Sequence, residues 1–564
     1  MTFSRYRPTS HFIAPHSWSN DPCGAVYVPE SQEYLLCYQW NPGTTTGGNC
    51  AWGMAKSKDL VTWQDCMPAI WNGSSYDSQG VFSGSIVSRL VDGKRVLYLF
   101  YTSVSATPIH WSKPYIKGCE SQSVAISTDY GKTWTRHDNN PLLESPPKAA
   151  ATTGWRDPFV SRSTSLSDLL RVSHDTDYMM LSSGERSRGP QLHLYRSNDL
   201  HSWGFVSTVL DVGLRDKISA HSTRVWGINF ECASFFTLGE TDYILVGIEE
   251  TEESSRHASR YILWLGGKFV SNGQGLPTFQ IKSHNMLDHG MLYAAHLFRD
   301  AQNRLVQLGW ADETAKQHIV QAQGWAGCLG HPRELVELAR PLDAHAQIGA
   351  EWQVDEAAGT MRTLGIRPAQ QVDMLRAGTT VSGSLSLDDF DGIRSQTFEC
   401  KATFTGLRGN ERLVFNVLQS PDSSEVTRLI FELARQEVVV DRSKSSLKQL
   451  GTVSPDRGHL GLLRGEDLDI RIFVDVSIIE IFANDRFALT SRVYPSLDTA
   501  NKVSHDFGDY DQDKMSFEYW QTMKKAWPER DSGCGILPEL LPKTGHEKSE
   551  VMATEMHVEV VAIS

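Results

Sequence analysis

Short apolar runs recur along the first two-thirds of the chain: YLLCYQW, RVLYLFYTS, DYMMLSSG, DYILVGI and RLVQLGW, each bounded by Gly, Asn, Asp or Ser clusters. Runs of this length, cut off by turn formers, predict buried strands. A second pattern rides on the first. Ser57-Lys-Asp59-Leu-Val-Thr-Trp63 returns as Ser127-Thr-Asp129-Tyr-Gly-Lys-Thr-Trp134 and as Ser197-Asn-Asp199-Leu-His-Ser-Trp203, the serines 70 residues apart each time. Each copy follows an apolar segment, which predicts a turn where Asp folds the loop and Trp opens the next strand. A period this long, holding several strands, predicts a β-propeller, and blades of about 65–70 residues place five of them within residues 1–350.

The texture changes from about residue 366. Leu468-Asp-Ile-Arg-Ile-Phe-Val-Asp-Val-Ser-Ile478 alternates apolar and polar positions, which predicts one half-buried antiparallel strand. TFECKATFTGL, RLVFNVL and RLIFELARQEVVVDR read the same way, so residues 366–527 predict a β-sandwich. Residues 528–564 carry little pattern and read as a C-terminal tail. The expected fold is therefore all-β, a five-bladed propeller followed by a C-terminal β-sandwich.

Composition narrows the functions more than the fold. The 564 residues are 40% hydrophobic and 21% charged, a globular balance in a chain long enough for more than one domain. A net charge of −13 and the lack of a basic block argue against nucleic acid or an anionic membrane as partner. No apolar stretch reaches the roughly 18 residues of a membrane helix. The start, MTFSRYRPTSHFIAPHSW, lacks the apolar core of a secretory signal. Nine cysteines are scattered without a CxxC pair, which fits reduced thiols and a cytoplasmic location. The histidines show no paired ligand spacing, so neither metal nor cofactor is expected.

Three carboxylates stand out against this background. Asp21 lies in SWSNDPCG, Asp157 in GWRDPF beside Arg156, and Glu231 in WGINFECASFF. Alone, each Asp-Pro is an ordinary turn, and Asp157 is an ordinary partner for its neighbouring arginine. Glu231 is harder to place so, because a carboxylate inside an apolar run is costly unless paired or used, and burial is expected to raise its pKa. Innermost propeller strands line one channel, so residues far apart in sequence can meet at its mouth. A protonated acid facing an ionised carboxylate is what glycoside hydrolysis requires.

These segments, with CYQWNPG, AWGMAKSKDLVTW, GVFSGS, GWAGCLGHPREL and FVDVSIIEIFANDRF in the same order, resemble glycoside hydrolase family 32, the invertases, fructanases and fungal sucrose fructosyltransferases. PIHWSKPYIKGCESQSVAIS and QGWAGCLGHPRELVE are most similar to its fungal sucrose-acting branch. The resemblance implies a propeller followed by a sandwich. It implies Asp21 as nucleophile, Glu231 as acid and base, and Asp157 as stabiliser of the transition state. It also implies Asn20, Gln39, Trp52, Phe82, Ser83 and Arg156 as walls of the fructose pocket, with a nucleophile–acid spacing of about 5–5.5 Å. Weaker local similarity adds His284 and Glu249 or Glu250 on the glucose side. Asp288 and Glu313 read equally well as solvated loop charges and are not assigned.

Two positions depart from the family pattern: Cys23 where Asn is usual, and Ala233 where Pro is usual. The implied activity is a retaining β-fructofuranosidase acting on sucrose and short fructo-oligosaccharides through a covalent fructosyl-enzyme, with transfructosylation. A dedicated sucrose:sucrose fructosyltransferase making kestose-type products is the enzymatic alternative. A silent sugar-binding propeller, or a scaffold for protein partners, explains the repeat but not the three carboxylates. The sandwich face offers a surface for a homodimer.

Overall fold

The computed structural model describes residues 2–147, 151–218, 224–249, 260–342, 349–377, 381–382 and 393–532. Four antiparallel strands make the first blade: β1 (Ser17–Val28), β2 (Glu33–Asn41), β3 (Ala51–Ser57) and β4 (Trp63–Ile70). The second holds β5 (Gly80–Val91), β6 (Lys94–Val104), β7 (Glu120–Ser127) and the short β8 (Thr135–Arg136). The third holds β9 (Thr152–Arg162), β10 (Asp177–Glu185), β11 (Gly189–Ser197) and β12 (Gly204–Asp211). The fourth holds β13 (Asn229–Leu238), β14 (Thr241–Glu249), β15 (Arg260–Ser271) and β16 (Pro277–Met286). The fifth starts with β17 (Leu292–Arg299) and β18 (Leu305–Ala311).

The first strand of each blade packs on the first strand of the next, and β17 packs back on β1, so five blades close a ring. One segment seals the closure. Trp325–Ala326 runs parallel to β1 at Ser17 and Trp18, while Cys328–Leu329 pairs with the end of β18. The apolar runs of the sequence are the second strands, β2, β6, β10, β14 and β18, whose side chains are buried almost throughout.

The Ser-Asp-Trp repeat is the turn from third to fourth strand. In the first blade Ser57 Oγ accepts the Leu60 amide at 2.8 Å and Asp59 accepts the Thr62 amide at 2.6 Å. Ser127 with Asp129 and Ser197 with Asp199 repeat these bonds. Leu60, Tyr130 and Leu200 all take a left-handed φ, of 68°, 65° and 65°. In the fourth blade Asn272 does the same work, its Oδ1 accepting the Gln274 and Leu276 amides at 2.9 and 3.0 Å.

The fifth sheet runs on beyond the expected boundary at residue 350. Arg333–Pro341 pairs with Thr360–Pro368, which pairs in turn with Gln353–Asp355, so this stretch completes the propeller rather than beginning the sandwich. The sandwich packs a sheet containing Thr397–Phe404, Leu468–Asp475, Ile478–Ala483, Phe487–Arg492 and Met515–Trp520 on a second containing Arg412–Gln419, Val426–Glu432 and Glu437–Lys444. Their facing apolar side chains form one core.

Two readings are corrected here. The alternating run Leu468–Ile478 is not one strand: Val476 turns left-handed at φ 56° and the chain reverses into a hairpin. The supposed tail at 528 starts with a docked helix, Pro528–Ser532, because Arg530 stacks on Trp527 and bonds both oxygens of Asp65 at 2.8 and 2.6 Å. The remainder of that tail lies outside the described residues.

Candidate active site

All five innermost strands break register near the channel mouth, each by carrying extra residues against its partner. On β1 the shifts fall between Ser19 and Gly24, bracketing Asp21. On β5 the extra residue is Ser83, on β9 it falls at Asp157 and Pro158, on β13 at Cys232 and Ala233, and on β17 at Ala294 and Ala295. A bulge bends its strand and re-aims the side chain beside it. Here five of them turn polar groups toward one point. The backbone is held in unfavourable conformations to do so: φ is 62° at Asp157, 48° at Cys232 and 50° at Ala294. Gly84 is obligatory in this frame, since a Cβ there would sit 2.0 Å from the Phe100 carbonyl oxygen.

The bulges assemble the three carboxylates. Asp21 accepts a 2.6 Å hydrogen bond from Ser83 Oγ, and Gln39 Nε2 donates to the same hydroxyl at 2.9 Å. Asp157 accepts the Cys232 amide at 2.8 Å, and its own amide donates to Thr102 Oγ1 at 3.0 Å. Cys232 Sγ lies 3.5 Å from the Asp21 carboxylate, so the residue after Glu231 touches both aspartates. Glu231 takes two bonds from Arg156, from Nε and Nη2, both 3.1 Å, and one from the Tyr293 hydroxyl at 2.9 Å.

Arg156 is the hub. Beyond Glu231 it bonds Glu120 at 2.6 Å and reaches Glu249 at 3.4 Å, while Asn229 steadies Glu249 at 3.0 Å. Trp52 donates its indole N–H to the Phe82 carbonyl at 3.1 Å, fixing the wall between first and second blades. Asn20 leaves its side-chain oxygen buried without a partner among the described residues. The sequence thus located Asn20, Asp21, Gln39, Trp52, Phe82, Ser83, Arg156, Asp157, Glu231 and Glu249 in or beside this ring. Glu250 lies outside the described residues.

His284 does not join them. It sits on β16, the outermost strand of its blade, separated from β13 by β14 and β15, with its amide bonded to the Ala350 carbonyl at 2.9 Å. Asp288 is spent on Arg333 and Thr490, at 2.8 and 2.7 Å, and Glu313 on Tyr494, so both unassigned carboxylates serve the seam between domains. Glu120, Asn229, Arg260 and Tyr293 were missed: Glu120 and Asn229 lie inside segments that drew notice for other reasons, and none of the four is an unusual residue in its own local setting.

Electrostatics overturns one expectation. Burial pushes Glu231 up, but Arg156 and Arg260, with the Tyr293 hydroxyl, more than offset it and hold the carboxyl below its ordinary range. The neighbours carry the raised values instead. Asp21 is pushed up to about 6 by burial, opposed by the Ser83 bond and reinforced by the charge of Glu231. Asp157 is raised by burial against the pull of Arg156, and Glu249 by burial and by Glu231. Clustered carboxylates cannot all ionise together, so the ring retains a proton.

The two departures from the family pattern acquire reasons. Cys23 is buried at 1% exposure among Val26, Cys37, Trp52 and Ile86, and its thiol is pushed up by burial, so it is a packing residue of the bulged strand. Ala233 keeps a backbone N–H that Pro would lack, and donates it to Ser182 Oγ at 3.0 Å.

The comparisons with known proteins agree with this geometry. Residues 11–342 match the description "Glycosyl hydrolases family 32 N-terminal domain" and residues 367–521 the description "Glycosyl hydrolases family 32 C terminal". A sucrose-6-phosphate hydrolase of Zymomonas mobilis is 26% identical, with 88% of each chain covered. A β-fructofuranosidase, the insoluble isoenzyme CWINV4 of Arabidopsis thaliana, is 26% identical over 87% of this chain and 85% of its own. The solved β-fructofuranosidase of Aspergillus kawachii, complexed with glycerol, superposes with a TM-score of 0.81 at 27% identity, covering 94% of this chain and 96% of its own. Matched across both its domains, and with the three carboxylates convergent at the mouth of its propeller, the chain belongs to glycosyl hydrolase family 32.

Proposed function

We propose that the chain is a retaining β-fructofuranosidase acting on sucrose and short fructo-oligosaccharides. The observation that carries this reading is the convergence of Asp21, Asp157 and Glu231 on one bulged ring, with Cys232 touching both aspartates. Asp21, held by Ser83, attacks the anomeric carbon of the fructosyl unit and forms the covalent ester. Asp157 meets the fructose hydroxyls. Glu231 protonates the leaving oxygen and then activates the acceptor, water or a sugar hydroxyl. Burial and mutual repulsion leave a proton on the carboxylate ring, Asp157 and Glu249 standing above their ordinary range, and Glu231 has to carry that proton when it acts as acid.

The charge of the ring favours neutral sugars. Asp21, Asp157, Glu231, Glu249 and Glu120 surround Arg156, whose bonds to Glu120 and Glu231 are already made, and like charges repel a phosphate dianion. A cytoplasmic setting is part of the same proposal, supported by eight unbridged cysteines among the described residues.

Concentrated sucrose is the test. Glucose release is expected from wild type, and none would sink the reading. Free fructose equal to glucose marks hydrolysis, whereas glucose in clear excess marks fructosyl transfer.

A further inference from the structure

The bulge that aims Asp157 also strips backbone bonds from its own blade. On β9 both Asp157 and Pro158 stand against the single residue Leu181 of β10, since Arg156 pairs with Ser182 and Phe159 with Met180. Backbone groups released inside a protein need other partners. Here the second blade supplies them, as side chains reaching across the interface. Ser85 on β5 donates to the Pro158 carbonyl at 2.7 Å and accepts the Val160 amide at 3.0 Å. Thr102 on β6 accepts the Asp157 amide at 3.0 Å and donates to Gln122 Oε1 at 2.9 Å. Gln122 on β7 donates in turn to the Trp155 carbonyl at 2.9 Å.

Glu120 completes the set. It lies two residues before Gln122, hence on the same face of β7. One oxygen accepts the Trp155 amide at 2.8 Å and the other accepts from Arg156 Nη1 at 2.6 Å. One carboxylate thereby fixes both a backbone and a guanidinium. The remaining edge of that guanidinium, Nε and Nη2, is left facing Glu231. Gly154 makes room for the arrangement, since a Cβ there would collide with Nη1. Thr102, Glu120 and Gln122 are each at most 1% exposed, so they act from behind the channel wall rather than on a bound sugar.

We propose that Glu120, Gln122 and Thr102 are positioning residues, a polar clamp through which the second blade sets Arg156 against Glu231 and holds Asp157 in its left-handed conformation. Two members act on different parts of the chemistry. Glu231 must carry a proton to act as acid, and it stands among Arg156, Arg260, Asp21, Asp157, Glu249 and the Tyr293 hydroxyl. Glu120 meets Arg156 from the far side and balances charge that would otherwise bear on Glu231 and favour loss of that proton. Thr102 instead fixes the backbone of Asp157, whose φ is 62°. That contribution is the same whatever group departs. The inference rests on the β-fructofuranosidase reading and adds to it residues outside the pocket that tune the acid and the stabiliser separately.

The test sets two fructosyl donors side by side. Sucrose loses a hexose oxygen that must be protonated, whereas p-nitrophenyl β-D-fructofuranoside loses a phenolate that departs without a proton. The kcat/KM for each, with kcat and KM on sucrose, is measured for wild type, Glu120→Gln, Thr102→Val and Thr102→Ser. Glu120→Gln is expected to lower the sucrose value about 10- to 100-fold more than the aryl value, because general acid assistance is what it loses. Thr102→Val is expected to lower both values alike, by about 10-fold, through kcat with KM held, and Thr102→Ser to restore them. Equal losses on the two donors in Glu120→Gln, or wild-type rates in Thr102→Val, would overturn the proposal. If Glu120→Gln does not fold, the donor ratio is read on Glu120→Asp, which keeps the charge and shortens its reach. A smaller selective loss on sucrose is then expected, and equal losses would again overturn the clamp. A wild-type enzyme that cleaves neither donor would overturn the β-fructofuranosidase reading itself, a result distinct from equal losses in the variants.

Discussion

Two networks of buried charge lie within this molecule, one at the channel mouth and one at the seam between propeller and sandwich. At the seam, His11 gives both ring nitrogens to carboxylates, Asp475 at 2.8 Å and Glu480 at 3.0 Å. Arg333 bonds Glu480 and Asp288 at 3.0 and 2.8 Å, and backbone amides of Thr9 and Ser10 close on Asp475. Every carboxylate there faces a cation, and Asp475 and Glu480 are held far below their ordinary range. His11, His331 and Glu480 are near enough together to suggest a metal site, yet the two imidazoles stack at 3.8 Å and 16°, so their nitrogens point side by side rather than at a common centre. At the mouth, carboxylates outnumber cations and several are pushed up. The balance of charge separates the two networks: carboxylates each meet a cation where charge holds domains together, and outnumber cations where charge must react.

The comparison breaks first at the mouth. Asp21→Ala and Glu231→Gln should each lower sucrose turnover by at least about a thousandfold in steady-state assays. Asp157→Asn should raise the melting midpoint near neutral pH. A carboxyl raised by folding binds more protons folded than unfolded, so its contribution turns unfavourable as pH rises past the unfolded value.

The seam should answer in stability rather than in rate. Asp475→Asn strips His11 of a partner and should cost about 3–5 kcal/mol in denaturant titrations. Its pH dependence follows from the shifts. His11, raised to about 9, stabilises fully below its ordinary 6.5, and that contribution is lost as pH climbs through 9. Asp475 and Glu480, both lowered, stabilise above their ordinary 3.8 and 4.5 and lose that contribution as pH falls below them. The seam is therefore strongest between those limits.

A subtler effect concerns the nucleophile. With Asp21 near 6, kcat/KM should fall as pH drops below that value. Ser83→Ala removes a bond that favours the charged form, so the acid limb should move to higher pH in a pH–rate profile. Smallest is the repeat turn: Asp199→Ala loses acceptors for the His201 and Ser202 amides and should cost about 1 kcal/mol by thermal melting, with turnover unchanged.

Much of the architecture was legible because the second strands are buried on both faces and read as plain apolar runs. The turn repeat was equally plain in three blades, and hidden in the fourth because Asn272 follows Ser271 directly and no Trp opens the next strand. Glu231 was legible as a charge in apolar company, whereas Asp21 and Asp157 look like ordinary turn residues and stood out only through the family resemblance. Arg260, Tyr293 and Glu120 were not legible, since each gains meaning only from neighbours brought in by ring closure. His284 misled for the converse reason: a suggestive local segment lies on an outermost strand. The hairpin at Val476 escaped because the alternation of apolar and polar residues continues through the turn without Gly, Asn or Pro to mark it.

The most direct measurement pairs sucrose turnover with thermal midpoint for Asp21→Asn and Asp475→Asn, under identical conditions. The expected result is a crossed pattern. Asp21→Asn loses turnover by at least about a thousandfold with its midpoint held or raised, and Asp475→Asn loses midpoint while the folded fraction keeps its turnover. A stable Asp475→Asn that is inactive, or an Asp21→Asn that turns over sucrose normally, would contradict the division of labour between the two networks.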